Sequence, residues 1–294
     1  MNIRIKFQKY GVMKFVGHLD MMRYFQKAIR RAGIDIAYSE GYSPHQIMSF
    51  AAPLGLGVTS DGEYFDIAVK SSKSSRESLE NLNRAMVEGI SVLEYRKLPD
   101  TAKTSMSLVA AADYLVYARE EHNALFSSLE NLKSQIHDFY EKQPEILITK
   151  QTKKSRMELN LKPLIYEMKG VNLREEYPDL KESPAGHLGI FLKVCTGSSD
   201  NIKPELVLEA FCRFCGLDYE PLSFQVHRLE VYAKSEEIPV KGEQERKAYE
   251  NYLKQLKQSH AEKKTAFPEF LTLGELGEDI IYGNDITDNP TAVE

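Results

Sequence analysis

The chain has 294 residues, 42% hydrophobic and 28% charged, with a formal net charge of −5. That length allows two domains with separate cores, and that balance excludes a disordered or collagen-like chain and a wholly basic nucleic-acid coat protein. The charge is uneven: residues 1–60 carry eight Lys/Arg against three acids, and residues 269–294 carry seven acids and no base.

Residues 2–7 alternate, with Ile3, Ile5 and Phe7 on one side and Arg4 and Lys6 on the other, the period of a half-buried strand. Gly11 ends it, and residues 13–16 lead into a helix. Gly17 stands at the N-cap and Asp20 at the third helical position, where a carboxylate reaches back to free backbone N–H groups. The helix runs to Ala32 with Met22, Phe25, Ile29 and Ala32 inward, and Gly33 takes the C′ position that favours left-handed backbone. Ile34, Ile36 and Tyr38 begin a second strand. Residues 39–62 read as loop, punctuated by Gly41, Pro44, Pro53, Gly55, Gly57 and Gly62. A strand over 63–70, a helix over 74–88 and a strand over 90–95 complete a βαββαβ order, the pattern of a ferredoxin-like domain.

Residues 99–107 read as a polar linker, after which the pattern repeats. Strands are expected over 112–119, 145–150, 186–195 and 223–233, with helices over 121–140 and 204–215. Residues 151–185 form a basic and then proline-containing insertion. The expected fold class is therefore α+β, with two tandem ferredoxin-like modules over 1–98 and 108–233. Residues 234–268 are charged and partly helical, and 269–294 read as an acidic tail with little core.

The N-terminus alternates charged and apolar residues where a signal peptide would be continuously apolar. No apolar run approaches the ~20 residues that span a bilayer. Three cysteines, Cys195, Cys212 and Cys215, cannot build a disulfide framework. A cytoplasmic protein with no membrane association is expected.

Chemistry-bearing residues concentrate between Gly17 and Asp66. Arg23, Lys27, Arg30 and Arg31 fall at i, i+4, i+7 and i+8, one stripe of a helix. Guanidinium forks suit phosphates, and a row of cations suits a polyanionic backbone. Tyr24, Tyr38 and Tyr42 add faces on which bases could stack. The same stripe is also what a solvated helix face with an Asp20–Arg23 pair looks like. In the turn 39–45, Gly41 permits a positive φ and Pro44 restrains itself and Ser43, so His45 is held in one orientation. If His18 meets His45, two imidazoles and Asp20 make an acid–base cluster suited to RNA cleavage, with Arg30 or Arg31 on the phosphate. The alternative is that each histidine only ties loop to helix through backbone hydrogen bonds.

Other chemistries find less support. Cys212 and Cys215 form a CxxC, but the helix that holds them asks to bury the same face, whereas structural zinc uses CxxC in a turn. No metal is expected, and no CxxxCxxC run offers an iron–sulfur site. Gly55 and Gly57 lack the following helix and lysine of a nucleotide loop, so no ATP or NAD cofactor is expected.

The stretch FVGHLDMMRYFQKAIRRAGIDIAYSEGYSPHQIMSFAAPLGLGVTSDGEYFDI resembles the N-terminal signature of bacterial radical SAM-linked proteins, a domain of unknown function. That signature has a Ser-His-Leu-Asp helix start, an Arg-Arg-Ala-Gly helix end, Gly-Phe-Asn-Pro-His-Pro, Pro-Leu-x-x-Gly and Gly-Glu-Tyr. The likeness covers residues 3–70 motif by motif and 71–233 in general layout. Three positions depart: Gly17 for Ser, Ser43 for Asn and Gln46 for the second Pro. The resemblance implies a radical SAM protein as partner, encoded nearby or fused, and a setting among RNA-processing functions.

The leading expectation is an accessory protein of a radical SAM enzyme that binds RNA or another anionic substrate, more a binding protein than an enzyme. Its expected binding residues are Arg23, Lys27, Arg30, Arg31, Tyr38, Ser39, Gly41, Tyr42, Pro44, Ser49 and Glu63, with His18, Asp20 and His45 as catalytic candidates. The rivals are an RNA-processing enzyme, either a His-dependent ribonuclease or a pseudouridine-synthase-like one, and a structural adaptor. No Arg-Thr-Asp-like triplet supports the synthase, since Asp20, Asp35 and Asp66 lie in other contexts.

Overall fold

Alternation in the first residues produces β1 (Asn2–Lys9), and an apolar stripe closed by glycine at each end produces α1 (His18–Arg31). The structure is a computed structural model describing residues 1–120, 123–151, 156–182, 184–197, 200–262 and 269–281. The chain continues through β2 (Met48–Phe50), β3 (Thr59–Ala68), α2 (Ser75–Ala85), β4 (Ile90–Leu98) and α3 (Ser105–Leu108). Next come β5 (Val109–Ala118), α4 (Leu129–Ile136), β6 (Leu147–Gln151), β7 (Arg156–Asn160), β8 (Ile165–Asn172) and α5 (Leu173–Glu176). Last are β9 (Leu188–Cys195), α6 (Pro204–Phe214), β10 (Phe224–Lys234), α7 (Glu243–Glu262) and β11 (Phe270–Thr272). The fold is mixed α+β with mostly antiparallel strands. Among the described residues no helix is long and apolar enough to cross a membrane.

Two compact units divide the chain. The first takes Met1–Leu56, Gly62–Val109 and Val231–Glu294; the second takes Gly57–Asp61 and Ala110–Glu230. In the first, strands follow the order β4-β1-β3, with β2 antiparallel on β3. Ile3, Ile5 and Phe7 of β1 meet Met21, Phe25 and Ile29 of α1 and Leu82 of α2 in its core. Four phenylalanines form its centre: Phe25 lies 4.6 Å from Phe65 and 4.7 Å from Phe7, and Phe50 stacks on Phe65 at 5.1 Å.

In the second unit the order is β10-β5-β9-β8, with β9 antiparallel to both β5 and β8. Thr59 and Ser60 pair in parallel with His227 and Arg228 of β10. Phe139 and Phe211 meet at 5.2 Å, and Leu115, Tyr117, Val171 and Phe191 form a smaller core. In the first unit β1 lies between β4 and β3 with β2 beyond β3, and in the second β5 lies between β10 and β9 with β8 beyond β9, the β6–β7 pair forming a sheet of its own.

Several local expectations are corrected. No strand forms over 34–38; Ile36 and Tyr38 make single bridges to Val69 and Gln46, and the strand that pairs with β3 is Met48–Phe50, inside the expected loop. Proline and glycine flank Met48 and Phe50 closely enough to hide them, but Phe50 buries against Phe65 and so draws its backbone into the sheet. The buried face of α1 is Met21, Phe25, Ala28 and Ile29, with Met22 only half-buried. The expected linker contains α3, whose Ser105 is fully buried.

The helix expected over 121–140 is broken, its first two residues lying outside the described ones. It has a 3₁₀ turn at Ala124–Phe126, a restart at Ser128, whose hydroxyl accepts the Asn131 N–H at 3.1 Å, and a π turn at His137–Glu141. Serine side chains compete for helix backbone groups, which favours caps over interiors. The insertion 151–185 contributes β7, paired with β6 as a hairpin, and β8.

The largest correction concerns the tail. Residues 269–281 are packed into the first unit: Leu273 and Ile280 are buried, Ile280 exchanges backbone N–H and C=O bonds with the Ser75 Oγ and N–H, and Glu278 bridges Lys97 on β4. Acidic composition concealed apolar residues at spaced positions, Phe270, Leu271, Leu273, Leu276, Ile280 and Ile281. Residues 282–294 lie outside the described ones.

Candidate nucleic-acid interface

The outer face of α1 comes from its own periodicity. With Met21, Phe25, Ala28 and Ile29 inward, Asp20, Arg23, Lys27, Arg30 and Arg31 are exposed. They are not equivalent. Arg23 Nη1 donates to Asp20 Oδ1 at 3.2 Å, and Arg31 Nη2 donates to the Ala85 carbonyl at the end of α2 at 2.9 Å. The side chains of Lys27 and Arg30 make no hydrogen bond or ion pair among the described residues. Gly17 caps the helix without a side-chain bond, as expected where serine is absent.

The loop after Tyr38 is held by its own hydrogen bonds. The Ser39 N–H donates to the His45 carbonyl at 2.8 Å, the Ser39 hydroxyl accepts the His45 N–H at 3.1 Å, and it also meets His45 Nδ1 at 2.9 Å. Gly41 adopts φ +105, the left-handed region its missing Cβ allows. Pro44 is exposed, and Tyr42 at the turn is wholly exposed. Gln46, the departure from the proline of the resembled pattern, is what docks this loop: its Nε2 donates to the Gln26 carbonyl of α1 at 3.1 Å and lies 3.5 Å from the Tyr38 hydroxyl. Gln26 is flanked on the helix surface by Arg23 and Arg30, so the loop adjoins the cationic row.

No direct contact joins the two histidines among the described residues. His18 packs its ring edge-on to Phe50 at 5.2 Å, whereas His45 belongs to the loop docked at Gln26. Eight helical residues separate His18 from Gln26, about 12 Å, and the four steps from Gln46 to Phe50 span about 13 Å of extended chain. No hydrogen bond, ion pair or ring contact joins any two of His18, Asp20, Tyr38 and His45 among the described residues. His45 ties its own loop, and Asp20 pairs with Arg23. Tyr24 does not offer a stacking face either: it is half-buried, and its hydroxyl accepts the Val87 N–H at 2.8 Å. Ser49 lies half-buried on β2 opposite Asp66, and Glu63 is buried on β3, so neither belongs to the exposed face.

Charged residues that the sequence pattern did not single out are buried nearby. Arg4 donates twice to the Asp66 carboxylate, at 2.8 and 3.1 Å, and once to the Leu273 carbonyl at 3.1 Å. Lys9 donates to the Val16 carbonyl at 2.8 Å, just before α1. Alternation alone placed Arg4 on the outward side of a half-buried strand; its partners come from β3 and the tail, and no local signal links them.

In the second unit the Thr59 hydroxyl, the His227 imidazole and the Asp61 carboxylate form a chain, at 2.9 and 3.0 Å. The order resembles a nucleophile triad, but the hydroxyl end is fully buried and the carboxylate end reaches solvent. A nucleophile must face its substrate, so this chain fastens β10 to the start of β3. Cys212 is buried in α6, and burial pushes its thiol up to about 11. Cys215 is also pushed up by burial, and the Cys195 thiol donates to the Asp200 carbonyl at 3.1 Å. Thiolate is the form that binds metal or attacks. Among the described residues no three of His, Cys, Asp and Glu are placed to hold a metal.

The family model described as an uncharacterized protein conserved in bacteria (DUF2344) matches residues 2–204. No curated protein matches the chain.

Proposed function

We propose that this chain, which belongs to the DUF2344 family, is an accessory protein that binds RNA for a radical SAM enzyme through the outer face of α1 and the loop 38–46. The observation that carries the RNA half is the joint exposure of Lys27, Arg30 and Tyr42 on adjoining elements, their side chains without hydrogen bonds or ion pairs to the rest of the described residues. Unpaired cations are free to replace counterions on phosphates, and an exposed aromatic ring beside them gives a base something to stack on. Arg23 adds to the row at the expense of its pair with Asp20. The radical SAM half rests on the motif resemblance over residues 3–70. We further read each unit as a ferredoxin-like module, because both have the strand order 4-1-3-2, and the β6–β7 hairpin as an insertion into the second.

A binding role is favoured over a nuclease because no hydrogen bond or ring contact joins His18 to His45 among the described residues. Binding to a single-stranded RNA is expected to fall as salt rises, and Lys27→Ala with Arg30→Ala should flatten the log–log slope by about 1.4, about 0.7 for each lost phosphate contact. Unchanged slopes, or no RNA bound, would leave the adaptor reading in its place. Purified protein alone should leave the RNA intact. Cleavage with a bell-shaped pH profile, reduced roughly 10²–10⁴-fold by His45→Ala, would make it the enzyme instead. Co-purification from the native host identifies the protein partner and the bound RNA.

A further inference from the structure

The strands of the first unit have a second face, turned away from α1 and α2. On β4 the ring of Tyr95 joins the helix-side core, so Glu94 and Arg96 on either side of it face the other way. There they border a cavity of about 570 Å³ that is also lined by Tyr249, Tyr252 and His260 of α7 and by Glu275.

Three features of this cavity point to one kind of ligand. The first is aromatic. Tyr249 and Tyr252 stand one helical turn apart with ring centroids 5.9 Å apart and planes at 43°, giving two electron-rich faces on one wall. The second is an unmet hydrogen bond. The Tyr249 hydroxyl is buried and has no partner among the described residues, and burial holds the phenol protonated, its pKa pushed up to about 12. A buried polar group without a partner is costly, and a bound group that supplies the missing bond is one explanation for it.

The third is charge. Arg96 is met by Glu94 Oε2 at 3.2 Å and by Asp279 Oδ2 at 3.0 Å, and Glu94 has Lys6 Nζ at 3.9 Å besides. Glu275 has no such compensation. Its Oε2 accepts the Thr272 N–H at 2.7 Å and the Thr272 hydroxyl at 2.8 Å, in a capping-box arrangement around the 3₁₀ turn Gly274–Leu276, and no cation pairs with it among the described residues. Among the described residues the exposed Glu275 carboxylate thus stands without a cationic partner beside two tyrosine faces, a combination that attracts an organic cation.

We propose that this cavity binds an aliphatic primary ammonium. The cation lies against the Tyr249 and Tyr252 rings, its charge is balanced by Glu275, and one of its N–H groups donates to the Tyr249 hydroxyl oxygen. The site is separate from the outer face of α1 and takes a ligand of opposite charge to RNA.

The test is calorimetric titration of the full chain with spermidine, without RNA, at pH 8. We expect saturable one-to-one binding that Tyr252→Ala and Glu275→Gln each weaken about three- to five-fold, the size of a cation–aromatic contact and of a counter-charge at solvent-exposed side chains. Tyr252 is half-exposed, and glutamine preserves the capping bonds at Thr272, so both variants keep the fold; an unchanged thermal midpoint checks this. Glu278→Gln removes the same charge from an exposed side chain outside the cavity and should change binding less than two-fold. Equal losses in Glu275→Gln and Glu278→Gln would reduce the effect to general acidity and overturn the proposal. So would the absence of saturable binding, or affinity indifferent to both cavity variants. Replacing spermidine by tetramethylammonium, which has no N–H to donate, should weaken binding further; equal affinity would overturn the assignment to a primary ammonium.

Discussion

Asp66→Ala is expected to lower the unfolding free energy by about 3–5 kcal/mol, the cost of leaving a buried ion without its partner. Arg4 is 1% exposed, and two of its three hydrogen bonds go to this carboxylate. The same carboxylate accepts the Ser105 N–H at 2.6 Å, so its removal also orphans a backbone donor at the start of α3. Arg4→Met should cost less. The Asp66 side chain is 12% exposed and can recover part of its hydration, whereas the guanidinium cannot. Urea unfolding at constant m-value measures both. A loss below about 1 kcal/mol for Asp66→Ala, or a larger loss for Arg4→Met, would show that the pair does not hold β1, β3 and the tail together as described.

Phe65→Ala should cost a comparable amount, about 3–5 kcal/mol, through a lost aromatic side chain and the cavity left behind. Phe65 is fully buried and touches three other phenylalanines, Phe7 at 5.7 Å, Phe25 at 4.6 Å and Phe50 at 5.1 Å. Those rings seat α1 on the sheet, so under the proposed RNA-binding role the loss should appear in RNA affinity as well as in stability. Phe65→Leu keeps most of the volume and should recover more than half of the difference. If both variants unfold at the wild-type urea midpoint, the phenylalanine cluster is not the centre of this unit. Either alanine change alone is a large fraction of the 5–15 kcal/mol typical of a domain, so both need to be read at low temperature where a folded fraction persists.

Much of the first unit was legible in one dimension. The period of 3.6 between Gly17 and Gly33 marked α1 almost to the residue, and Gly33 does adopt the left-handed φ of +69 that its place after the helix required. The cationic stripe followed from the same period, because residues three and four apart share a face whatever the rest of the fold does. The start of α2, expected at residue 74, falls at Ser75, with Ser74 as its cap accepting the Glu77 N–H at 3.3 Å. Each of these depends on neighbours a few residues away.

What depended on distant neighbours was not legible. The pattern showed which polar residues α1 exposes, but not that Arg31 and Arg23 are already engaged while the side chains of Lys27 and Arg30 have no partner among the described residues, since Arg31's acceptor lies 54 residues on. The loop 39–45 was readable as a tight turn, but the place on α1 to which it docks is set by Gln46 reaching the Gln26 carbonyl, while His18 packs on Phe50. Residues 269–281 read as acidic and unstructured because composition averages over a segment, whereas packing needs only a few apolar side chains and backbone groups at the right places. Leu273 and Ile280 supply them, one closing over Arg4 and the other bonding to Ser75. Local periodicity and capping are written into adjacent residues and survive in any context, whereas pairing across 54 to 269 residues is chosen by burial, which desolvates a charge and makes one particular partner necessary.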